Sequence, residues 1–377
     1  GTRMNRRKLI GGLAAATAAS FVPVGSRRSA MAGQAADSTS SAVQAGPRNL
    51  ITDVAGLKIG EASDAEVRTG VSIILPDSPA VAACDIRGGG PASRETDVLM
   101  QENLVQEVDG IILSGGSVYG LASADGVAAW MGARNRGFAL REAPGVPPSP
   151  ILPTACLYDL ANGGDKAWSE QPPYRQLGIE AVEAAADTFE LGTAGAGFGA
   201  NSGGLKGGLG SASAISRDGM TVGALVAVNS LGSAVAPGSK QFWAAPWELD
   251  EEFGGLGTDE LAAGPEDYGR AMRPRANTTL ACVATDVALT RVELKRIAIM
   301  AQDGMGRALR PAHAPFDGDI VFALSTARRE VNSSPLRAVL VTRLGALAAD
   351  VLARAIARAI YEATPFTDAG VPAWRDL

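Results

Sequence analysis

Histidine is all but missing from this sequence: His313 is the only one in 377 residues. A Ser-His-Asp triad and a histidine-based zinc site are thereby nearly excluded, since neither the base nor the usual imidazole ligands are at hand. No nucleophile in a recognisable motif accompanies His313, and near Pro311 and Pro315 it reads as a packing or capping residue. Cysteine is scarce as well. Cys84, Cys156 and Cys282 are odd in number and widely spaced, so they make neither a disulfide framework nor a metal pattern. Positive charge is not in excess either: 34 Lys and Arg stand against 40 Asp and Glu, a net charge of −6, with no basic stripe beyond the N-terminus. That argues against a nucleic-acid partner. Past the N-terminal stretch, no run is long and apolar enough to span a bilayer. Any hydrolase built on this chain must find its base somewhere other than imidazole.

What is present is apolar residues in quantity. At 46% of the chain they suffice for a large core, in one big domain or two. The 46 glycines fall at turns without a period, which rules out a collagen-like or low-complexity chain. Met4 reads as the initiator, with Gly1-Thr2-Arg3 standing before the natural start. Asn5-Arg6-Arg7-Lys8-Leu9-Ile10 is a twin-arginine pattern, a mildly apolar stretch runs to Val24, and Ala30-Met31-Ala32 supplies a cleavage signal. Gly11, Gly12, Thr17, Ser20 and Pro23 make that stretch too polar for a durable anchor. The expectation is an export signal over 1–32, hence a periplasmic or secreted protein, followed by a linker over 33–48.

Farther along, Val71–Leu75 and Ala80–Cys84 read as a hairpin across Pro76-Asp77-Ser78-Pro79. A helix is expected near Thr96–Val105 and a strand at Gly110–Leu113. Ser114-Gly115-Gly116-Ser117 fits no phosphate-binding pattern and reads as a tight packing turn into a helix with Leu121, Val127 and Met131. A helix over Arg175–Asp187 and strands at Ser211–Ile215 and Thr221–Asn229 follow. Residues 238–276 show little periodicity and read as a mobile surface connection open to scission. Phe242, Trp243, Trp247 and Phe253 fall inside it as an apolar patch suited to a contact surface. Beyond come a strand from Thr278, a helix over Arg291–Leu309, a strand over Asp319–Ser325 and a long C-terminal helix. Its apolar stripe is Leu336, Leu340, Leu344, Leu347 and Val351, with Arg337, Arg343, Arg354 and Arg358 on a solvated face. Hairpins mixed with helices, without regular βαβ alternation, favour an α+β fold of two sheets packed face to face under helices.

The most telling residues are Asn277-Thr278-Thr279-Leu280, where a Pro- and Gly-rich loop meets the apolar run Ala281-Cys282-Val283-Ala284. By itself a threonine pair opening a strand is ordinary. A cut before Thr278, however, leaves a hydroxyl and a free α-amine on one residue. The amine, with a reference pKa of roughly 8, then serves as the base that histidine does not supply.

Six segments, in order, carry a family resemblance. They are Asp85-Ile86-Arg87-Gly88-Gly89-Gly90-Pro91 with Arg94-Glu95-Thr96-Asp97; Leu113-Ser114-Gly115-Gly116-Ser117 with Tyr119-Gly120-Leu121; and Lys206-Gly207-Gly208-Leu209-Gly210. The others are Val226-Ala227-Val228-Asn229; Asn277-Thr278-Thr279-Leu280 with Ala284-Thr285-Asp286; and Pro315-Phe316-Asp317-Gly318-Asp319. Together the chain resembles the DmpA-like P1 peptidases, self-cleaving N-terminal-nucleophile hydrolases, and most of all their nylon-oligomer hydrolase branch. The peptidase branch often has Ser at the nucleophile and Ser/Glu in the last segment. Thr278 and the Asp317–Asp319 pair match the nylon-hydrolase pattern instead.

The resemblance implies a four-layer αββα sandwich in one domain over 49–377, self-cleaved between Asn277 and Thr278 into 33–277 and 278–377. It implies no cofactor or metal, an amide substrate, and a homotetramer of cleaved protomers. Thr278 Oγ then attacks an amide carbonyl with its own amine as base. Asn229 donates to the oxyanion, and Lys206 holds the amine–hydroxyl network or the developing charge. Asp317 and Asp319, two apart and so on one face of an extended segment, orient the α-ammonium and tune its acidity. Tyr158 offers its phenol to the substrate or to the Asn277 carbonyl. The expected activity is hydrolysis of linear amide oligomers, with an aminopeptidase acting on small or β-amino peptides as the alternative.

Overall fold

Strands buried on both faces set the architecture. In the strand Thr278–Val287 every residue except Asp286 is buried. Leu280, Cys282 and Ala284 belong to one apolar cluster, and Ala281, Val283 and Val287 to another. Successive strand residues point to opposite faces, so this strand must run between two apolar layers. A computed structural model of the protein describes residues 43–259, 261–264, 266–267, 277–331 and 336–377. The expected export signal and most of the linker lie outside the described residues.

Strands are numbered along the chain. One sheet has the order β1 (Leu57–Asp64), β2 (Thr69–Pro76), β6 (Ile111–Ser114), β7 (Thr154–Cys156), β4 (Ala92–Arg94). The other runs β10 (Gly208–Ile215), β11 (Thr221–Asn229), β12 (Thr278–Val287), β13 (Ile320–Arg329), β3 (Ala80–Ile86), β5 (Glu107–Val108). A small hairpin, β8 (Asn201–Ser202) and β9 (Leu205–Lys206), precedes β10. Ile59, Ile74 and Leu113 of the first sheet meet Leu225, Cys282 and Phe322 of the second in the central core. The outer face of the six-stranded sheet packs on α3 (Arg291–Ala308) and α4 (Arg337–Tyr361). The outer face of the five-stranded sheet, with Val71, Ile73 and Ile112, packs on α1 (Ser123–Gly132) and α2 (Tyr174–Glu183). The result is the expected αββα sandwich. At the start of α3, Thr290 Oγ1 accepts the Glu293 N–H at 3.3 Å while Glu293 accepts the Thr290 N–H at 2.9 Å, a capping box.

Several local expectations need correction. The segments read as a hairpin, β2 and β3, belong to different sheets: β2 pairs with β1 and β6, and β3 with β13 and β5. β2 is buried along its whole length, so it needs partners on both edges, and the Pro76–Pro79 turn instead carries the chain across the sandwich. The helix expected near 96–105 is one tight turn, Asp97–Leu99. The Arg291 guanidinium gathers the carbonyls of Val98 and Met100, which a helix would have bonded internally, together with that of Val105. α2 stops at Glu183 because Ala186 exchanges backbone hydrogen bonds with Ile59 of β1.

The connection from 238 to 259 is not a loose surface strand. Phe242 and Phe253 are buried edge to face, and Phe242 stacks on Trp374 at 5.4 Å. Trp243 and Trp247 are half-buried beneath Arg310 and Arg307. Phe242 and Phe253 of the aromatic patch therefore fold back on their own subunit; residues 260, 265 and 268–276 lie outside the described residues. Arg337 and Arg343 do form exposed pairs, with Glu293 and Asp218. Arg354 does not: it is 2% exposed and pairs with buried Glu252 from that same connection. Its Nη1 donates to the Ser213 carbonyl at 2.8 Å and its Nη2 to Asn49 Oδ1 at 2.9 Å. The counter-charge comes from a hundred residues upstream, which α4 alone does not reveal. Arg354→Ala leaves Glu252 with only the longer Arg358 contact, at 3.8 Å, as counter-charge, and is expected to destabilise the protein by about 3 kcal/mol, the low end for a broken buried pair. Urea unfolding of the mutant checks this; an unchanged midpoint contradicts it.

Candidate active site

Thr278 opens β12 with neighbours fixed on both sides. Its antiparallel partner across to β11 is Asn229, the last residue of that strand. Directly opposed residues of an antiparallel pair project to the same face. On the other side β12 runs parallel to β13, with Leu280 beside Ile320, so Asp319 falls beside Thr279. The Thr279 N–H donates to Asp319 Oδ1 at 2.8 Å. Asn277 bridges to Asp317, with its N–H on the Phe316 carbonyl at 3.1 Å. Pairing of strands thus brings Asn277, Thr278, Asn229, Asp317 and Asp319 together.

The Asn277–Thr278 peptide is the focus of the cluster. The Asn277 carbonyl accepts the Thr278 hydroxyl at 2.5 Å and the Gly318 N–H at 2.8 Å. Gly318 sits so close that a Cβ placed on it would lie 2.7 Å from Thr278 Oγ1, so any side chain there would press on the hydroxyl. The loop around Gly88 holds this segment by backbone alone. Arg87 and Gly88 donate to the Asp319 carbonyl at 3.0 and 3.2 Å, and Gly90 to the Asp317 carbonyl at 2.8 Å. A Cβ on Gly88 would fall 2.2 Å from the Asp319 nitrogen, which is why that motif is glycine-rich.

Both carboxylates are buried and held. Asp317 accepts the Leu231 N–H at 3.2 Å and the Ala314 N–H at 2.8 Å. Burial first, and the charge of Asp319 second, push Asp317 up to about 6. Asp319 Oδ2 accepts both the backbone N–H of His313, at 3.0 Å, and its ring Nδ1, at 2.8 Å. The expected packing role of His313 is thus incomplete, because the chain's one imidazole is bonded to a carboxylate of the cluster. Its place six residues before Asp319 is the signal that sequence reading passed over.

Asn229 Oδ1 accepts the Asn201 N–H at 2.9 Å, and its Nδ2 donates to the Tyr158 carbonyl at 3.0 Å. An amide NH₂ carries two hydrogens, so one of them stays available for an oxyanion. Tyr158 meets Asn229 through its backbone and not through its phenol. Lys206 pairs in register with Asn201 and joins the cluster through it. Its ammonium donates to the carbonyls of Gly197, Ala200 and Gly207 at 3.3, 2.9 and 2.8 Å. Burial pulls Lys206 down to about 7, against the charge of Asp159. Asp159, which sequence reading missed, is raised to about 6 by burial despite hydrogen bonds from Thr69 and Gly116. Next to Lys206 a cavity of about 420 Å³ is lined by Arg68, Asn162, Asn201, Phe366 and Asp368 among others. Arg68 is already paired with Asp368 at 2.5 Å.

An αββα sandwich of two facing sheets between helix layers is the architecture of the N-terminal-nucleophile class of hydrolase folds. The L-aminopeptidase/D-Ala-esterase/amidase of Ochrobactrum anthropi, described as a variant of that fold, superposes with a TM-score of 0.62 at 22% identity, over 85% of this chain and 87% of that one. Residues 49–371 match the model of peptidase family S58, and the chain belongs to that family of hydrolases. An uncharacterized aminopeptidase of Mycobacterium tuberculosis is 41% identical over 355 residues, covering 87% of this chain and 98% of that protein. The 6-aminohexanoate-oligomer endohydrolase of a Kocuria species is 27% identical, covering 83% of this chain and 86% of the relative.

The raised Asp317 has a measurable consequence. Unfolded, its carboxyl ionises near its ordinary value, roughly 4; folded, it keeps its proton up to about 6. Between those values the folded state binds more protons, so this group's contribution makes stability fall as pH rises from about 4 to about 6. Asp317→Asn should remove a part of that fall on the order of 2–3 kcal/mol. Urea melts of the uncut chain at pH 4 and pH 6.5, wild type against mutant, check it; parallel pH profiles would contradict it.

Proposed function

We propose that this hydrolase cuts itself between Asn277 and Thr278, and that the exposed Thr278 is the nucleophile of an amidase acting on linear amide oligomers of the 6-aminohexanoate type. The observation that carries the reading is the doubly hydrogen-bonded Asn277 carbonyl, with Thr278 Oγ1 2.5 Å from its oxygen. Donors aimed at a carbonyl oxygen stabilise the charge that appears there when the carbon is attacked. Self-cleavage begins when the hydroxyl proton turns from the carbonyl to a carboxylate, Asp317 being the one raised toward neutral pH. Oγ bonds to the Asn277 carbon, the Thr278 nitrogen takes up a proton and leaves, and an ester joins the two residues. Water then splits that ester into an Asn277 carboxylate and a free Thr278 amine.

In turnover the freed amine accepts the Oγ proton and passes it to the departing amine of the substrate. Asn229 Nδ2 supplies the oxyanion donor. Asp317 and Asp319 hold the α-ammonium, and Lys206 adds positive potential from behind Asn201. For the substrate, the cavity beside Lys206 offers no unpaired carboxylate among its described lining residues, since Asp368 is engaged by Arg68. An ammonium end finds no counter-charge there, which favours internal amide bonds. A second reading, an aminopeptidase on small or β-amino peptides, is favoured by the name of the mycobacterial relatives, up to 41% identical.

Thr278→Ala is expected to leave one uncut chain without hydrolytic activity, read by denaturing gels and amide hydrolysis assays. Two normal fragments from that mutant would remove Thr278 from the mechanism. For the substrate, an amide oligomer with a blocked amino end decides between the two readings. Internal cleavage products are expected; hydrolysis of free-amino peptides alone would establish the aminopeptidase.

A further inference from the structure

The only histidine of the chain is spent on one oxygen atom. His313 directs both its peptide N–H, at 3.0 Å, and its ring Nδ1, at 2.8 Å, to Asp319 Oδ2. A carboxylate only accepts, so Nδ1 carries the proton. The backbone pays for this arrangement, since His313 has φ +58°, in the left-handed region that residues other than Gly and Asn seldom adopt. The turn needs a residue tolerant of that conformation, and nothing in its backbone calls for an imidazole. What the ring adds is the second grip on Asp319, whose side chain is 2% exposed. The opposite oxygen of the same carboxylate receives the Thr279 N–H at 2.8 Å. A direct line therefore runs from imidazole through Asp319 to the peptide that follows Thr278.

We propose that His313 is a positioning residue of this centre: with ring and peptide N–H it pins the Asp319 carboxylate against the Thr278–Thr279 peptide. Three donors converge on one carboxylate, so Asp319 is the fixed member of the pair. Asp317, two residues away, is left as the group that takes up and releases a proton in the proposed self-cleavage. The two carboxylates of the Asp-Gly-Asp motif thus have separate tasks, and His313 assigns them. A free Asp319 would rotate, lose its bond to Thr279 and leave the nucleophile's backbone less firmly set. Misplacement on the scale of an ångström is costly to a reaction that depends on alignment.

The inference rests on Thr278 as the point of self-cleavage, and the full chain is its own substrate. Uncut protein made by cell-free synthesis is followed by the appearance of fragments on denaturing gels. His313→Gly accepts the backbone conformation but lacks the ring. It is expected to cleave about tenfold to a hundredfold more slowly, the loss of one hydrogen bond to a charged group. His313→Asn places an N–H the same number of bonds from Cα and tolerates positive φ, so it should stay within about threefold of wild type. His313→Gln carries its N–H one bond too far and should behave like the Gly variant. Wild-type cleavage by His313→Gly, or equal slowing of the Asn and Gln variants, overturns the proposal. Should the Gly variant fail to fold, the Asn–Gln contrast carries the test. N-terminal sequencing separates the two levels: fragments that do not begin at Thr278 remove both readings, while correct fragments indifferent to residue 313 remove only this one.

Discussion

The register of β12 is the constraint on which the rest depends. Thr278 is opposite Asn229 on one side, and Thr279 is next to Asp319 on the other. A slip of one residue would turn every side chain of the strand to the wrong face. It would bury the Thr278 hydroxyl under α3 and α4 or send Leu280 out of the central core. Burial on both faces makes such a slip very costly, so the same apolar alternation that builds the sandwich also aims the Thr278 side chain. The site gains its accuracy from the least polar part of the molecule.

Around that strand the polar groups are arranged at considerable cost. Lys206, Asp159, Asp317 and Asp319 are all buried, and each charged form loses hydration there. Backbone donors and acceptors replace much of the lost water: three carbonyls on Lys206, two peptide N–H groups on Asp317, one from Thr279 and one from His313 on Asp319. Peptide groups in a sheet or tight turn cannot reorient as water does, so the site is already polarised before any substrate arrives. Glycines at 88 and 318 permit the close backbone approach that this solution requires.

Much of this was legible in the sequence because it is local. The β11 strand, the opening of β12, the bulk of α3 and the motif residues are visible from alternation, caps and short patterns. The layered fold and the family followed from six such patterns in order. What escaped was decided by distant partners. β2 and β3 look like a hairpin until the burial of β2 demands neighbours on both edges. Arg354 looks solvated until Glu252 meets it, and Phe242 looks exposed until Trp374 covers it. His313 was set aside because no nucleophile stands near it in sequence; in space its partner is a carboxylate, and the strand pairing between β12 and β13 brings that carboxylate to the Thr278–Thr279 peptide.

The strand order of the larger sheet has one more implication. β12 and β13 are adjacent, with β10 and β11 on one side and β3 and β5 on the other. A chain severed before Thr278 would therefore hold its C-terminal piece like the middle boards of a floor, locked by ladders on both edges. Neither piece could leave without exposing the central core, so severance would go unnoticed under native conditions. Unfolding would then be a different matter. Two polymers that must find each other again refold in a concentration-dependent, bimolecular reaction, whereas the intact precursor folds alone. Maturation of this kind gives a protein whose persistence depends on how slowly it opens rather than on how readily it re-forms.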